Sequence, residues 1–178
     1  GEPPFPEGYL HGTVRDMQGR KMSKSLGNGI DPLEVVNAYG ADAMRFTIIS
    51  QAAVGTDINL DHEDVEATFS NGRNFSNKIW NAGRFALLSL GNNPVHPVNE
   101  VKPDLALEDR WILARLGHAT RAATRNLERY RLHEVADGLY HFFWGEFCDW
   151  YLELVKDRLT LDTDAKSREA ARSTLVAV

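Results

Sequence analysis

The chain has 178 residues, 43% of them hydrophobic, which is enough to bury one sizeable core. Its net charge of −5 excludes a global basic field for nucleic acid and leaves only local patches, and its single cysteine, Cys148, excludes an internal disulfide or a multi-cysteine zinc site. No stretch resembles a signal peptide and no apolar run reaches the length of a membrane span, so a soluble, cytoplasmic protein is expected, and separately a monomer.

In chain order, Pro3, Pro4 and Pro6 block a helix at the start, so an extended approach leads into a strand over Tyr9 to Arg15. That strand has no evident partner, and a lone strand is not stable in water. Next stands Lys21-Met22-Ser23-Lys24-Ser25, with Gly19 before it and Gly27 and Gly29 behind. Flanking glycines permit tight turns and close approaches. Ammonium groups and rotatable hydroxyls are the donors a phosphate-gripping loop needs. For an arbitrary pentapeptide of this composition, a polar surface turn is the competing reading. Asp31-Pro32-Leu33-Glu34 then opens a helix, with Asp as cap, Pro in the first turn and Glu favourable to the dipole. Gly40 ends it, and Ala41 to Gln51 form a second helix with Ala43, Met44, Phe46 and Ile49 turned inward. Gly55 to Leu60 reads as a connector.

Asp61 caps a long helix reaching about Leu90, with acids early (Glu63, Asp64, Glu66) and bases late (Arg73, Lys78, Arg84). That order suits the helix macrodipole and needs no ligand. Gly91 to Pro103 is a linker broken by Pro94, Pro97 and Pro103. Leu107 to Arg129 carries an inward stripe of Ile112, Leu116, Ala119, Ala123 and Leu127, with Arg121, Arg125 and Arg129 on another face. Leu132 to Leu159 carries Val135, Leu139, Phe142, Phe143, Phe147, Trp150 and Leu154 inward and Glu146, Asp149, Glu153 and Asp157 outward. The arginine and acid stripes are expected to pair across the bundle, which explains the arginines better than RNA does. Cys148 reads as a small buried hydrophobe. Asp164 to Val178 begins one more amphipathic helix. No Cys, His or acid set has metal-site spacing, so His133 and His141 read as packing or surface residues and no metal is expected.

The fold class is therefore mainly α: an antiparallel helical bundle joined by short loops. The pentapeptide stands between Tyr9-Leu10-His11-Gly12-Thr13-Val14-Arg15-Asp16 and Leu26-Gly27-Asn28, with Tyr39-Gly40-Ala41-Asp42-Ala43-Met44-Arg45-Phe46 further on. This run resembles the second signature of class I aminoacyl-tRNA synthetases, which activate an amino acid with ATP and load it on tRNA. Gly72-Arg73-Asn74-Phe75-Ser76-Asn77-Lys78-Ile79-Trp80-Asn81 and Phe147-Cys148-Asp149-Trp150-Tyr151-Leu152-Glu153-Leu154-Val155-Lys156 resemble the valine-handling members more than the isoleucine or leucine ones.

The resemblance implies that residues 1–60 end a Rossmann-type catalytic core and that 61–178 are an anticodon-binding bundle. It implies ATP, with Mg2+, and valine as substrates of a larger parent enzyme, and tRNA(Val) as partner. Lys21 and Lys24 become the catalytic cations, Ser23 and Ser25 loop or phosphate donors, and His11 and Gly12 neighbours of the adenine or ribose. Lys78, Arg84 and Phe85 become tRNA contacts. The other class I ATP signature is absent, as are an amino-acid pocket and an editing domain. With Gly1 at the start and an apparent helix running to Val178, a catalytically inactive piece of the parent is expected. The rivals are a piece of an isoleucine or leucine enzyme of the same class and a stand-alone tRNA-binding helical module.

Overall fold

A computed structural model describes residues 4, 5, 7–160 and 164–178; Pro3 and Pro6, with the stiffness expected of them, lie outside the described residues. The chain divides into two compact units, one of residues 1–76 with Thr124–Asp137, the other of Asn77–Ala123 with Gly138–Val178.

The first unit holds the only sheet among the described residues. Strand β1 (Val14–Arg15) pairs in parallel with β2 (Ile58–Asn59), Val14 opposite Ile58 and Arg15 opposite Asn59. Ile58 N–H donates to the Thr13 carbonyl and Leu60 N–H to the Arg15 carbonyl, both at 2.9 Å. The strand is thus shorter than Tyr9 to Arg15, and its partner lies in the stretch read as a connector. Asp57 explains the pairing: it accepts from Thr13 N–H at 2.8 Å and forms an ion pair with Arg15. The fit is close at Gly12 as well, where a Cβ would come 2.0 Å from the Thr56 carbonyl oxygen.

Helix α1 (Pro32–Tyr39) begins as its sequence dictates: Asp31 Oδ1 accepts Leu33 N–H at 2.8 Å, Pro32 occupies the first turn, and Gly40 ends the helix at φ 95°. Helix α2 (Ala41–Gln51) turns Ala43 and Thr47 fully inward, with Met44 and Ile48 beside them. Ile49, expected inside, is exposed, because the inward stripe passes through 43, 44, 47 and 48. Helix α3 (Val65–Leu90) starts later than Asp61 implies. Asp61 closes the preceding turn on Glu63 and Asp64 N–H, while Asp64 Oδ1 accepts Ala67 N–H at 2.9 Å and is the effective cap.

Val35, Ile58, Leu60 and Phe69 form the core of this unit, and Val14, Met22 and Ile30 pack against it. Gly72 lets α3 lie on α2, since a Cβ there would meet the Ala43 carbonyl oxygen at 2.5 Å and Thr47 Oγ1 at 2.7 Å. Gly72→Ala should therefore destabilise the chain, because an overpacking cost of about 1–3 kcal/mol outweighs a helix-propensity gain of at most about 1 kcal/mol. Gly83, in the same helix with open space around it, is the control. Gly83→Ala should raise the denaturation midpoint while Gly72→Ala lowers it, and equal shifts for the two would refute the close approach.

The second unit is a helical bundle. Its core joins Ala82 of α3, Ile112 of α4 (Leu107–Glu128), Ala171 and Leu175 of α7 (Ala165–Ala177), and the aromatic segment between them. That segment leaves α5 (Leu132–His141) as a π-helix, Phe142–Tyr151, before returning to α6 (Leu152–Val155). Leu152 N–H donates to the Phe147 carbonyl, a five-residue step instead of four. The wider step delays the inward stripe by one position. Phe142, Phe147, Cys148, Tyr151, Leu152 and Val155 point in, while Trp150 and Leu154, expected inside at α-helical spacing, are 64% and 51% exposed. Leu139 is exposed on α5, and Leu127 on the last turn of α4. Burial of the Cys148 thiol pushes its pKa up to about 11, in keeping with a packing role.

The charge pairing also differs from expectation. Glu146 is held bidentately by Arg115 at 2.6 and 2.7 Å, and Asp149 by Lys78 at 3.1 Å. Arg121, Arg125 and Arg129 are exposed and form no ion pair among the described residues. Arg121 and Arg125 lie on α4, and Arg129 follows directly after its end.

Inside the bundle lies a charge network with no counterpart in the helical stripes. Asp109 is fully buried. It accepts from Ala106 N–H at 2.9 Å, Tyr151 O–H at 2.9 Å and the Arg158 guanidinium at 2.8 Å. Arg158 also binds Glu108 at 2.8 Å and reaches α7 through the Ser167 hydroxyl at 3.0 Å and carbonyl at 2.9 Å. Burial, and then the Asp109 charge, hold the Tyr151 phenol well above its usual pKa, so it stays a donor.

Candidate active-site loop

The lysine loop is built on a hairpin. Residues 14–16 and 20–22 run antiparallel: Met22 N–H donates to the Val14 carbonyl at 3.1 Å and Asp16 N–H to the Arg20 carbonyl at 2.9 Å. Gly19, at φ 78°, closes the turn with its N–H on the Asp16 carbonyl. Beyond the hairpin, Lys24–Leu26 make one turn of 3-10 helix. Ser23 caps it, its hydroxyl accepting Leu26 N–H at 3.3 Å and lying 3.1 Å from the Ser25 hydroxyl. Gly27, at φ 64°, closes the turn on the Lys24 carbonyl.

Side chains alternate in role along the pentapeptide. Met22 packs toward Val35 and Phe69 and lines an apolar cavity of about 300 Å3 with Ile30, Met44 and Leu60. Lys21, Lys24 and Ser25 are exposed, and neither ammonium has an ion-pair partner among the described residues. Lys24 borders a cleft of about 540 Å3 with Gly27, Gly29 and Asp31. The loop thus holds two uncommitted cations above an apolar anchor.

His11 is exposed and bonds its own neighbour, Nδ1 to the Gly12 carbonyl at 2.8 Å. Gly12 is explained by its contact with Thr56 without any ligand. The helical candidates separate. Lys78 is committed to Asp149 and lies 5.0 Å from the centre of the Trp144 ring. Phe85 is half-buried and packs on the bundle core. Arg84 is exposed and, with Ile79, Trp80, Leu87 and Leu88, lines an apolar groove of about 440 Å3 on α3.

Two residues beneath the loop were missed by sequence reasoning: Asp16 and Asn28, both buried. Asn28 holds the Asp16 carboxyl well below the usual carboxylate range, with Arg20 N–H and the Arg20 guanidinium adding to the effect. A depressed pKa means that this stabilisation is complete above about pH 4 and is lost only as pH falls through the folded value. Asp16 ahead of Gly19 is a side-chain-closed turn pattern, and that signal was present in the sequence.

Residues 1–61 match the family described as tRNA synthetases class I (I, L, M and V), and residues 109–178 match the anticodon-binding domain of tRNA ligases. A valine–tRNA ligase from Parasynechococcus marenigrum is 51% identical over 164 residues, 89% of this chain and 18% of that protein. The one from Clostridium acetobutylicum is 47% identical over 178 residues, the whole of this chain and 20% of that one. The chain belongs to the class I tRNA synthetases. In fold, this synthetase chain also matches a crystal structure titled as the ternary complex of Agrobacterium radiobacter K84 agnB2 LeuRS with tRNA and LeuAMS. The TM-score is 0.68 at 23% identity, over 97% of this chain and 20% of that one. The chain spans about a fifth of the length of the curated relatives it matches.

Proposed function

We propose that this chain is part of an ATP-dependent valine–tRNA ligase, supplying the lysine loop that acts during adenylate formation and helices that bind tRNA(Val). The observation that carries the first half is the pair of exposed, unpaired ammonium groups, Lys21 and Lys24, on a loop whose backbone is fixed from below. As the valine carboxylate attacks the α-phosphorus of ATP, charge builds on the leaving pyrophosphate. Cations whose grip tightens at that moment lower the barrier, whereas uniform binding would not. Ser23 acts through the turn it caps, and Ser25, exposed beside it, is free to donate to phosphate. His11 and Gly12 lead into the hairpin and border the nucleotide in this reading. Mg2+ would arrive on the ATP phosphates: among the described residues no group of three or more His, Cys, Asp or Glu is placed to hold a metal.

Valine is favoured over isoleucine and leucine by the relatives at 47–51% identity, all named valine–tRNA ligases. Residues 1–60 serve as the end of the catalytic core and 61–178 as the anticodon-binding part, a division supported by the separate family matches at 1–61 and 109–178. On the RNA side, Arg84 is the candidate whose charge remains available, and Lys78 and Phe85 contribute by holding the α3 surface in place. The protein would work in the cytoplasm as a monomer; no helix among the described residues is long and apolar enough to cross a membrane.

Amino-acid-dependent pyrophosphate exchange by the full-length protein tests the reading. Valine should support exchange with kcat/KM at least about 100-fold above isoleucine or leucine, the size that one methylene of pocket discrimination permits. Preference for either of the others would replace valine, and no exchange with any of the three would overturn the reading.

A further inference from the structure

We infer that Asp16 and Asn28 form a buried clasp that positions the lysine loop for the reaction, so that the loop's cations depend on two residues that touch no substrate. The inference rests on the function proposed above. Asn28 is 1% exposed and Asp16 0%, in a stretch whose other polar side chains mostly face solvent. The Asn28 amide uses both its ends. Its Oδ1 accepts Ser23 N–H at 3.0 Å, while its Nδ2 donates to Asp16 Oδ2 at 2.9 Å and to the Lys21 carbonyl at 3.4 Å. The backbone is therefore gripped on both sides of Met22, at the residue bearing one cation and the residue preceding the other.

Asp16 fixes the far side of the hairpin. Its Oδ1 accepts Gln18 N–H at 3.0 Å and Arg20 N–H at 2.9 Å, and its Oδ2 accepts Arg20 Nε at 2.7 Å in addition to the Asn28 amide. One carboxylate thus closes the turn and anchors the asparagine that holds the pentapeptide. A buried carboxylate bonded this fully is not a spare acid or base. Nor is either residue on the loop surface where phosphate would lie. The arrangement leaves Lys24–Leu26 as a short turn hanging from a fixed base, with Met22 seated in the apolar cluster. Preorganisation of this kind makes a donor effective in a transition state, because misplacement of a positioned group by about 1 Å can cost on the order of 100-fold in rate.

The test uses the full-length enzyme and compares Asn28→Ala, Lys24→Ala and the double variant in valine-dependent pyrophosphate exchange. Asn28→Ala should lower kcat by about 10–100-fold with the KM for valine unchanged. Asn28→Ala should cost clearly less in the Lys24→Ala background than in the parent, because the part of its effect that runs through Lys24 is already lost and only the part through Lys21 remains. Multiplying effects in the double variant, or an unchanged kcat in Asn28→Ala, would overturn the clasp. If Lys24→Ala itself leaves exchange unchanged, the lysine-loop reading fails first and takes the clasp with it. Should Asn28→Ala fail to fold, the exchanged pair decides. Asn28→Asp places two carboxylates in contact, and adding Asp16→Asn restores an amide–carboxylate bond in the opposite sense. The pair should be at least about 10-fold faster than Asn28→Asp alone. A pair no faster than the single variant would refute the proposal.

Discussion

Lys24→Ala in the full-length enzyme should slow adenylate formation by on the order of 10²–10³, the loss seen when one preorganised donor to a developing charge is removed. Lys24 is the better target of the two cations because it opens the capped turn and borders the cleft with Gly27 and Gly29, whereas Lys21 lies on the hairpin arm. Neither ammonium is neutralised by a neighbouring acid among the described residues, so the full charge is available to an incoming phosphate. The KM for valine should hold, because in the function proposed above Lys24 acts on the departing pyrophosphate and not on the amino acid. Lys24→Arg separates charge from shape: a planar fork retains the cation but changes its reach, so partial recovery is expected. Pyrophosphate exchange measured for both variants checks this, and an Ala variant with unaltered exchange would remove the lysine from the mechanism.

Asp109→Ala is the substitution expected to harm the bundle most. Removing one partner of a buried ion pair costs about 3–5 kcal/mol, because the remaining charge is stranded. Here the lower end applies, since Glu108 still faces Arg158 at 2.8 Å. The Tyr151 hydroxyl and Ala106 N–H lose their acceptor at the same time. Hydrogen-exchange protection of the α4 and α7 amides should fall on the order of 100-fold, the equivalent of about 3 kcal/mol of local opening. Replacing both partners, Asp109→Leu with Arg158→Met, should recover most of that loss, because an apolar pair of similar volume no longer has charge to bury. Protection unchanged in Asp109→Ala would mean that the network is not what ties α7 to the bundle.

How far the sequence revealed this molecule can be judged residue by residue. The ends of α1 were legible because Asp31, Pro32 and Gly40 each answer a local backbone need. The lysine loop was legible because its chemistry is concentrated in a few exposed side chains. Its support was not: Asn28 looks like one more loop asparagine until the fold brings it to Asp16, twelve residues away. β2 was hidden because two residues of strand carry no periodicity, and only Asp57, by binding Thr13 and Arg15, brings them to a partner. Asp109 was invisible for a different reason. In the first turn of a helix an acid is already explained by the dipole, so nothing prompts a search for a buried partner. Trp150 and Leu154 were misassigned because any stripe read at 3.6 residues per turn assumes an α-helix throughout.

That last point bears on how much length change the aromatic segment can absorb. From Phe142 to Val155 the register of the inward residues is set by one five-residue step, after which ordinary spacing resumes. Deleting a single residue between Phe142 and Phe147 would turn that step into a four-residue one, so the backbone could relax to ordinary α-helix with the downstream residues still facing the core. An inserted residue has no such outlet: everything downstream would turn by roughly a hundred degrees, Leu154 would compete with Val155 for the interior, and Arg158 would swing off Asp109. The segment can therefore lose one residue more readily than it can gain one.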